Sequence, residues 1–269
     1  MSRRSRPPEG SPRRLGQNFL ADPNLLDAIV REAGLEPSDV VLEVGGGGGA
    51  LSERLAPAVA RLHVIEIDLR LRDELESLAR DAGNLNLVWG DAMRVELGDL
   101  TPPPTKMVAN LPYSIATPLL IRTISELPSL ERWVVMVQRE IADRLKAKSG
   151  TSEYGSASVL VQLACEVTML RTVDPAVFVP RPRVGSALLQ LARKGAGADE
   201  DLAALVRLAF AHRRKSLARS LELARAGSLE PARRALESIG KPADARAEAL
   251  SPTEFERFSE ALAWQGAGP

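Results

Sequence analysis

Val40-Val-Leu-Glu-Val-Gly-Gly-Gly-Gly-Gly-Ala-Leu51 is the stretch of the chain that decides its fold. Apolar, strand-forming residues lead into five glycines, and a helical pattern follows. Strand, glycine turn and helix in this order are typical of the first unit of a doubly wound α/β domain, whose ligands bind beyond the carboxyl ends of the strands. Glycine suits such a turn because it accepts a positive φ and lets a ligand approach the backbone.

An acidic residue supports a ligand site at this turn. Glu66 lies 21 residues after Gly45, at the end of the apolar run Leu62–Ile67, and an acid at about that distance usually binds ribose hydroxyls. The glycines alone leave the ligand open. Gly45 and Gly47 with Ala50 satisfy the G-x-G-x-x-G/A pattern of dinucleotide sites, and with Gly49 they fit the looser loop of S-adenosylmethionine methyltransferases equally well.

The composition excludes several classes of protein. With one cysteine and two histidines among 269 residues, the chain has no internal disulfide, and we expect no structural metal site. No apolar run approaches the roughly 18 residues that a membrane span needs, and the N-terminus lacks the apolar core of a secretory signal. We therefore expect a cytoplasmic protein without a membrane partner.

The charge is segregated although its sum is zero. Residues 1–14 hold five Arg and one Glu, and residues 207–225 hold six Lys or Arg and one Glu. Two basic segments on an otherwise acidic chain favour a polyanionic partner. The alternatives are a disordered basic tail and a solvated helix face.

Strands and helices alternate through the first two thirds of the chain, which predicts a mostly parallel, Rossmann-like sheet with right-handed crossovers. Further strands are predicted at 62–67, 85–89, 106–109, 132–137, 166–173 and 186–192, and helices at 50–57, 69–81, 117–126, 139–147 and 156–164. After a glycine-containing linker at 194–199 the pattern is helical. We expect a basic tail (1–14), an α/β domain (15–195) and a small helical domain (196–269).

Capping residues mark several helix starts. Asp22 with Pro23 predicts a first helix, and Thr117 with Pro118 another. Ser228 and Ser251 are predicted caps later in the chain. Ser251-Pro-Thr-Glu254 fits a capping box.

Four polar or glycine positions fall at or just beyond the ends of successive predicted strands. They are Gly45, Glu66, Asp91 and Asn110. Each alone is compatible with a turn residue or a helix cap. Four in succession favour a ligand site at one edge of the sheet.

The most specific segment is Val108-Ala-Asn-Leu-Pro-Tyr113. The exocyclic amine of adenine is a poor nucleophile because its lone pair is delocalised into the ring. Two acceptors, the side-chain oxygen of Asn110 and the carbonyl of Leu111, suit its hydrogens and would orient the nitrogen towards an electrophile. Tyr113 would stack on the base.

This segment resembles the N-L-P-Y motif of the bacterial small-subunit ribosomal RNA adenine N6-dimethyltransferases. The same family is resembled by six further motifs in the same order: Leu15-Gly-Gln-Asn-Phe-Leu20, Glu43-Val-Gly45, Gly90-Asp-Ala92, Val137-Gln-Arg-Glu-Ile-Ala-Asp-Arg144, Phe178-Val-Pro-Arg-Pro-Arg-Val184 and His212-Arg-Arg-Lys-Ser216. The resemblance covers the chain from about residue 13 to at least 221.

The resemblance implies S-adenosylmethionine as methyl donor, without a metal. Asn18 and Leu20 would contact its methionine end, Glu66 its ribose, and Asp91 with Ala92 its adenine. The full set of expected donor-binding residues is Gln17, Asn18, Leu20, Gly45, Gly47, Glu66, Ile67, Asp91, Ala92 and Asn110. The expected catalytic residues are Asn110, Leu111, Tyr113 and Phe178, with Tyr113 and Phe178 enclosing the target adenosine.

The implied partner is small-subunit rRNA, in an assembling small ribosomal subunit, bound by a monomer. The basic residues expected to bind it are Arg207, Arg213, Arg214, Lys215 and Arg219. A helix through Arg213-Arg-Lys215 would spread these charges round its circumference, so we expect some of them to face the cleft between the domains and to bind RNA phosphates there. The alternative is that one of the three, first of all Arg214, pairs instead with an acid on the catalytic domain.

Three positions depart from the family pattern: Gly46 replaces the usual proline, Ser114 an asparagine and Gly185 an aspartate. If the backbone of Gly46 sits near φ −65° and its amide donates no hydrogen bond, Gly46→Pro should stabilise the protein by roughly 0.4–1 kcal/mol through the unfolded state.

Three other functions remain open. One is a related methyltransferase that modifies a large-subunit rRNA adenosine, and another is a non-catalytic nucleic-acid-binding relative of the same fold. The third, a nicotinamide dehydrogenase, leaves Asn110-Leu-Pro-Tyr113 and the basic segments unexplained.

Overall fold

The computed structural model describes residues 18–264. Gln17 and the basic segment 1–14 lie outside the described residues, so the expectations for them stay predictions.

Seven strands form one mostly parallel sheet, as predicted. The strands of the chain are Phe19–Leu20 (β1), Val40–Val44 (β2), Arg61–Glu66 (β3), Leu85–Trp89 (β4), Lys106–Asn110 (β5), Arg132–Gln138 (β6), Cys165–Val173 (β7), Phe178–Val179 (β8) and Ser186–Arg193 (β9). The sheet has the order β4-β3-β2-β5-β6-β9-β7. The first five strands in this order, β4-β3-β2-β5-β6, pair in parallel with their neighbours. The next strand, β9, runs antiparallel to β6. β1 and β8 form a separate antiparallel pair.

The helices are Pro23–Ala33 (α1), Ser52–Leu55 (α2), Arg72–Ala82 (α3), Ala116–Glu126 (α4), Arg139–Lys146 (α5), Ser156–Ala164 (α6), Glu200–Phe210 (α7), Leu217–Ala224 (α8), Leu229–Ser238 (α9) and Pro252–Leu262 (α10). None of them, within residues 18–264, is both long and apolar enough to cross a membrane.

Two of the four predicted caps are confirmed as side-chain caps. The carboxylate of Asp22 accepts a hydrogen bond from Asn24 N at 2.8 Å. Ser251 and Glu254 form the reciprocal capping box. Ser228 precedes α9 but makes no side-chain cap bond. The start at Thr117 is wrong: α4 begins one residue earlier, after Ile115, and Thr117 lies in the first turn.

The described chain divides into two compact units. The first unit consists of two segments, the chain up to Ala142 and Thr168–Arg193. It contains the strands β1–β6, β8 and β9 and most of β7. Its core is built from the buried faces of these strands, such as Val41, Leu62 and Val134. The second unit comprises Asp143–Val167 and the chain from Lys194 onwards, and it is mainly helical.

The predicted helix through Arg213-Arg-Lys215 is wrong. α7 ends at Phe210 and α8 begins at Leu217, so these residues lie in the turn between the two helices. The physical reason is local: Ser216 Oγ accepts a hydrogen bond from Arg219 N at 3.3 Å and caps a new helix, while Lys215 N donates to His212 O at 2.8 Å in the turn. Only Arg207 and Arg219 of the predicted basic set lie on helices.

Candidate active site

A cavity of about 220 Å³ opens at the edge where the parallel strands end, here called the carboxyl edge. All four positions predicted to meet there line it: Gly45, Glu66, Asp91 and Asn110. The other lining residues are Asn18, Phe19, Val44, Gly47, Ile65, Ile67, Gly90, Ala92, Leu111, Pro112, Tyr113, Ser114 and Ile115. Parallel β2, β3, β4 and β5 bring these segments together because their carboxyl ends share one edge.

The glycine turn needs its glycines for two different reasons. Gly45 and Gly47 have φ of 83° and 55°, which disfavours any side chain. Gly46 is instead restricted by space, since a Cβ there would lie 2.6 Å from Cγ1 of Val64 in the core. This packing reverses the expectation for Gly46→Pro, because proline also carries a Cβ. By contrast, a Cβ at Gly48 would meet nothing within 4 Å.

Glu66 is fixed at the end of β3 by backbone amides. One carboxylate oxygen accepts from Gly47 N at 2.9 Å, and the other accepts from Ile67 N at 2.9 Å and Asp68 N at 2.8 Å. A carboxylate has about four acceptor positions, so these three bonds leave capacity for a ligand hydroxyl. The same bonds tie the glycine turn to β3.

Beneath this turn lies a second, fully buried acid. Glu43 accepts a hydrogen bond from Ser52 Oγ at 2.5 Å. Burial raises the pKa of Glu43 to about 8, with the Glu66 carboxylate adding to the rise and the Ser52 hydroxyl opposing it. Glu43 therefore holds a proton at pH 7, and only one of the two neighbouring acids faces the cavity.

The loop after β4 supplies the next wall. Asp91 Oδ1 accepts a hydrogen bond from Met93 N at 2.9 Å, so a backbone amide of the same loop orients the carboxylate. Ala92 is buried and also lines the cavity.

Asn110 joins the N-terminal segment to β5. Its Nδ2 donates to the backbone carbonyl of Asn18 at 3.0 Å. Because a carbonyl only accepts, the bond requires the amide nitrogen on that side. Oδ1 of Asn110 consequently faces away from Asn18 as an acceptor. Leu111 follows on the cavity wall, with its N donating to Met136 O at 3.2 Å.

Tyr113 is half-buried, and its hydroxyl is bonded to Ser186 Oγ at 2.6 Å. Burial raises the pKa of Tyr113, and the bond to Ser186 opposes the rise. The phenol is therefore neutral at pH 7, with its ring on the cavity.

Two predicted site residues do not line the cavity. Leu20 and Phe178 are paired between β1 and β8, and both side chains belong to the hydrophobic core. Only 2% of Phe178 is exposed. The structure thus brings Tyr113 to the cavity, whereas Phe178 is paired with Leu20 and packs in the hydrophobic core.

Phe19 and Ser186 are functional candidates that sequence reasoning missed. Side chains alternate across a strand, so a core-facing Leu20 places its neighbour Phe19 on the cavity side. Ser186 is the first residue of β9, and a pattern of polar residues that follow strands does not include it.

The predicted basic residues Arg207, Arg213, Arg214, Lys215 and Arg219 are all exposed in the helical unit. Arg213 makes two contacts with other described residues. It donates to Ser152 O at 2.7 Å and lies 4.0 Å from the Glu248 carboxylate. Within residues 18–264 the ion pair therefore forms at Arg213 and not at the predicted Arg214, and both partners belong to the same unit as Arg213.

The cavity fits an adenosine-containing sulfonium such as S-adenosylmethionine. Glu66 offers acceptors for ribose hydroxyls, Asp91 offers acceptors for an adenine amine, and Ile67 and Ala92 offer apolar surface for the ring. The positive-φ glycines keep the turn free of side chains. Among residues 18–264, no group of His, Cys, Asp and Glu is arranged to hold a metal ion.

Comparison with known proteins places the chain among rRNA methyltransferases. A family model described as "Ribosomal RNA adenine dimethylase" matches residues 11–259. Ribosomal RNA small subunit methyltransferase A of Rubrobacter xylanophilus is 44% identical over 90% of this chain and 92% of the relative. The protein of the same name from Thermobifida fusca is 41% identical over 91% of this chain and 88% of the relative.

Two solved structures show the same fold across most of the chain. A dimethyladenosine transferase from Plasmodium falciparum superposes with a TM-score of 0.78 at 27% identity, covering 91% of this chain and 98% of the other. The 23S rRNA methyltransferase ErmE superposes with a TM-score of 0.66 at 28% identity, covering 91% of this chain and 100% of the other.

Proposed function

Because the chain belongs to the ribosomal RNA adenine dimethylase family, we propose that it methylates N6 of two adjacent adenosines near the 3′ end of small-subunit rRNA, twice each, and contributes to maturation of that subunit. The observation that carries this proposal is the orientation of Asn110, whose amide is fixed by the Asn18 carbonyl within the same cavity as Glu66 and Asp91.

In this proposal S-adenosylmethionine is the methyl donor, and it supplies a methyl group activated by a positively charged sulfur. Glu66 holds the ribose, Asp91 and Ala92 the adenine, and Asn18 with the glycine turn the methionine end. Gln17 and Ile67 complete the donor site. For Leu20, the buried side chain leaves only its backbone for such a contact.

Asn110 and Leu111 orient the target amine. Oδ1 of Asn110 and the carbonyl of Leu111 accept its two hydrogens, which directs the nitrogen lone pair to the transferred carbon. Fixed alignment of two reactants can supply a large share of a rate enhancement. The nitrogen becomes acidic once it carries the new methyl group, so its proton leaves to water.

Tyr113 provides the stacking surface for the flipped adenine. Its ring lines the cavity, and its hydroxyl is held by Ser186. Phe178 completes the proposed enclosure of the base only if its ring leaves the core, so we assign the first contact to Tyr113 alone.

RNA outside the cavity is bound by exposed basic residues of the proposed RNA-binding domain, residues 196–269. Arg207, Arg214, Lys215 and Arg219 project from α7, α8 and the turn between them, and Arg213 orders that turn through Ser152. The substrate in this proposal is an assembling small subunit, and the enzyme acts as a monomer in the cytoplasm.

The methyl-transfer rate of the Asn110→Ala variant, compared with that of wild type, tests the central step. Single-turnover transfer of a labelled methyl group to small-subunit particles, at saturating donor, should fall roughly 100-fold or more, while the Kd for the RNA stays within a few-fold. The lost interaction acts in the transition state. A transfer rate within a few-fold of wild type would remove Asn110 from the mechanism.

Methylation of large-subunit rRNA is the second candidate, favoured by the similarity to ErmE. Parallel assays with 16S and 23S rRNA, naked and in subunits, separate the two. Transfer confined to 23S rRNA overturns the first proposal, and failure of the wild-type protein to bind S-adenosylhomocysteine favours a non-catalytic relative.

A further inference from the structure

Arg122 lies outside the cavity yet bonds to its wall. It is on α4, the helix that follows the Asn110-Leu-Pro-Tyr113 segment. Its Nη1 donates to Ala92 O at 2.7 Å and its Nη2 donates to Val95 O at 2.8 Å. Only 14% of the side chain is exposed, so solvent competes little for these bonds.

The loop that Arg122 binds is compact. The carbonyl of Asp91 accepts from Arg94 N at 2.8 Å and Val95 N at 3.0 Å. A Cβ at Gly90 would lie 2.8 Å from Val95 Cγ1. Residues 90–95 therefore pack as one unit, and a displacement of the Ala92 and Val95 carbonyls moves Asp91 with them.

The geometry requires arginine. Its planar guanidinium presents several donors in a fixed fork, so two nitrogens reach two carbonyls at once. Glu126 orients the fork, accepting from Nε at 2.8 Å. Lysine has a single nitrogen and cannot make both contacts in the same orientation.

We propose that Arg122 is a positioning residue for the methyl donor: it fixes the Asp91–Ala92 wall against the adenine end and connects that wall to the helix beginning beside Tyr113. The inference rests on the proposed function, because it assigns the adenine end to this wall. The bonds of Arg122 join the donor side of the cavity to the helix that carries the target side.

Arg193 offers a matched control. This residue, in β9, also donates to backbone carbonyls, those of Ile124, Leu127 and Leu130. None of these three residues lines the cavity. Arg193→Met removes a comparable carbonyl clamp, whose three acceptors lie at the end of α4 and just beyond it and not in the loop 90–95.

The test compares full-length wild type with Arg122→Met, Arg122→Lys and Arg193→Met. Isothermal titration calorimetry gives the Kd values, and urea unfolding gives the stability. For Arg122→Met we expect the Kd of S-adenosylhomocysteine and of 5′-methylthioadenosine to rise roughly tenfold, because two hydrogen bonds from a charged donor are lost. Arg122→Lys should recover part of this loss. Arg193→Met should lower the urea midpoint and leave both Kd values within twofold of wild type.

Hydrogen exchange at Met93, Arg94 and Val95 gives a second readout. In Arg122→Lys these amides should exchange faster than in wild type, while those of β2 and β3 keep their protection. If wild type binds S-adenosylhomocysteine and Arg122→Met binds it equally well, or if Arg193→Met weakens it as much, the assignment is overturned. If wild type does not bind it, the proposed function fails first.

Discussion

The two sides of the cavity are held in different ways. On the donor side, Glu66 receives three backbone hydrogen bonds and Asp91 receives one from its own loop. On the target side, Tyr113 is held through a single side-chain bond to Ser186, and Phe178 is in the core. Backbone amides of the sheet edge have few alternative positions, whereas side-chain hydroxyls and rings change rotamer within nanoseconds when exposed.

For the proposed function, this difference predicts an order of events. A site fixed by the backbone binds its ligand with little loss of conformational entropy, so we expect the proposed donor side to be formed before the RNA arrives. We expect the proposed target side to gain its geometry with the base in place. Variants on the donor side should therefore change stability and donor affinity, and those on the target side should change use of RNA.

The largest effect is expected at Glu43, below the donor side. Its pKa of about 8 in the folded protein lies above the ordinary value of 4.5, so the folded state binds the proton more tightly than the unfolded state. Stability should then fall as pH rises from about 4.5 to 8, by up to roughly 1.4 kcal/mol per unit. Glu43→Gln should remove this slope and be more stable than wild type at pH 8.5.

Urea unfolding of both proteins at pH 5, 6.5 and 8.5 measures this difference. A parallel decline in the Gln variant would show that other groups cause the pH dependence.

The next effect separates two neighbouring glycines. Gly46→Ala places a methyl group against Val64 in the core and should lower the free energy of unfolding by roughly 1–3 kcal/mol. Gly48→Ala has open space, and its stability should stay within about 0.5 kcal/mol of wild type. Thermal unfolding without ligand compares the pair. Equal melting temperatures would mean that the turn relaxes around the added Cβ.

Tyr113 sharpens the comparison from the target side. Tyr113→Ala should weaken use of RNA by roughly 1–3 kcal/mol, the value of stacking one base on an aromatic ring. Tyr113→Phe keeps the ring and loses only the bond to Ser186, so we expect roughly 0.5–1.5 kcal/mol. Both should leave S-adenosylhomocysteine affinity unchanged. If kcat/KM for RNA falls as far with Phe as with Ala, the hydroxyl and not the ring is essential.

The smallest effect concerns the turn between α7 and α8. Arg214→Gln should leave the melting temperature unchanged and reduce the salt slope of RNA binding by roughly 0.7–0.9, the value of one phosphate contact. Arg213→Gln, in contrast, should lower the melting temperature, because it removes the hydrogen bond from the Arg213 guanidinium to Ser152 O. Filter binding at several salt concentrations, with 16S rRNA as probe, distinguishes them. An unchanged slope for Arg214→Gln would place RNA docking elsewhere.

The strands of the sheet and the residues of the proposed donor side can be predicted from the sequence, because both depend on residue patterns that are local in the chain. Gly45, Glu66, Asp91 and Asn110 each follow a strand with a clear apolar pattern, and the parallel arrangement then dictates that they meet. The burial of Phe178 was not accessible, since it depends on pairing with Leu20, far away in the chain. The basic turn was missed because the cap at Ser216 outweighed a charge pattern compatible with a helix.

The reversed strand β9 gives the cavity a part that the other strands cannot supply. Because β9 is antiparallel to β6, its first residue and not its last reaches the carboxyl edge, so the chain arrives there from residues 180–185. This arriving segment is held at one end by β8 against β1 and at the other by Ser186 against Tyr113. The surroundings of Tyr113 therefore depend on two distant parts of the chain, the segment that ends β5 and the segment that begins β9.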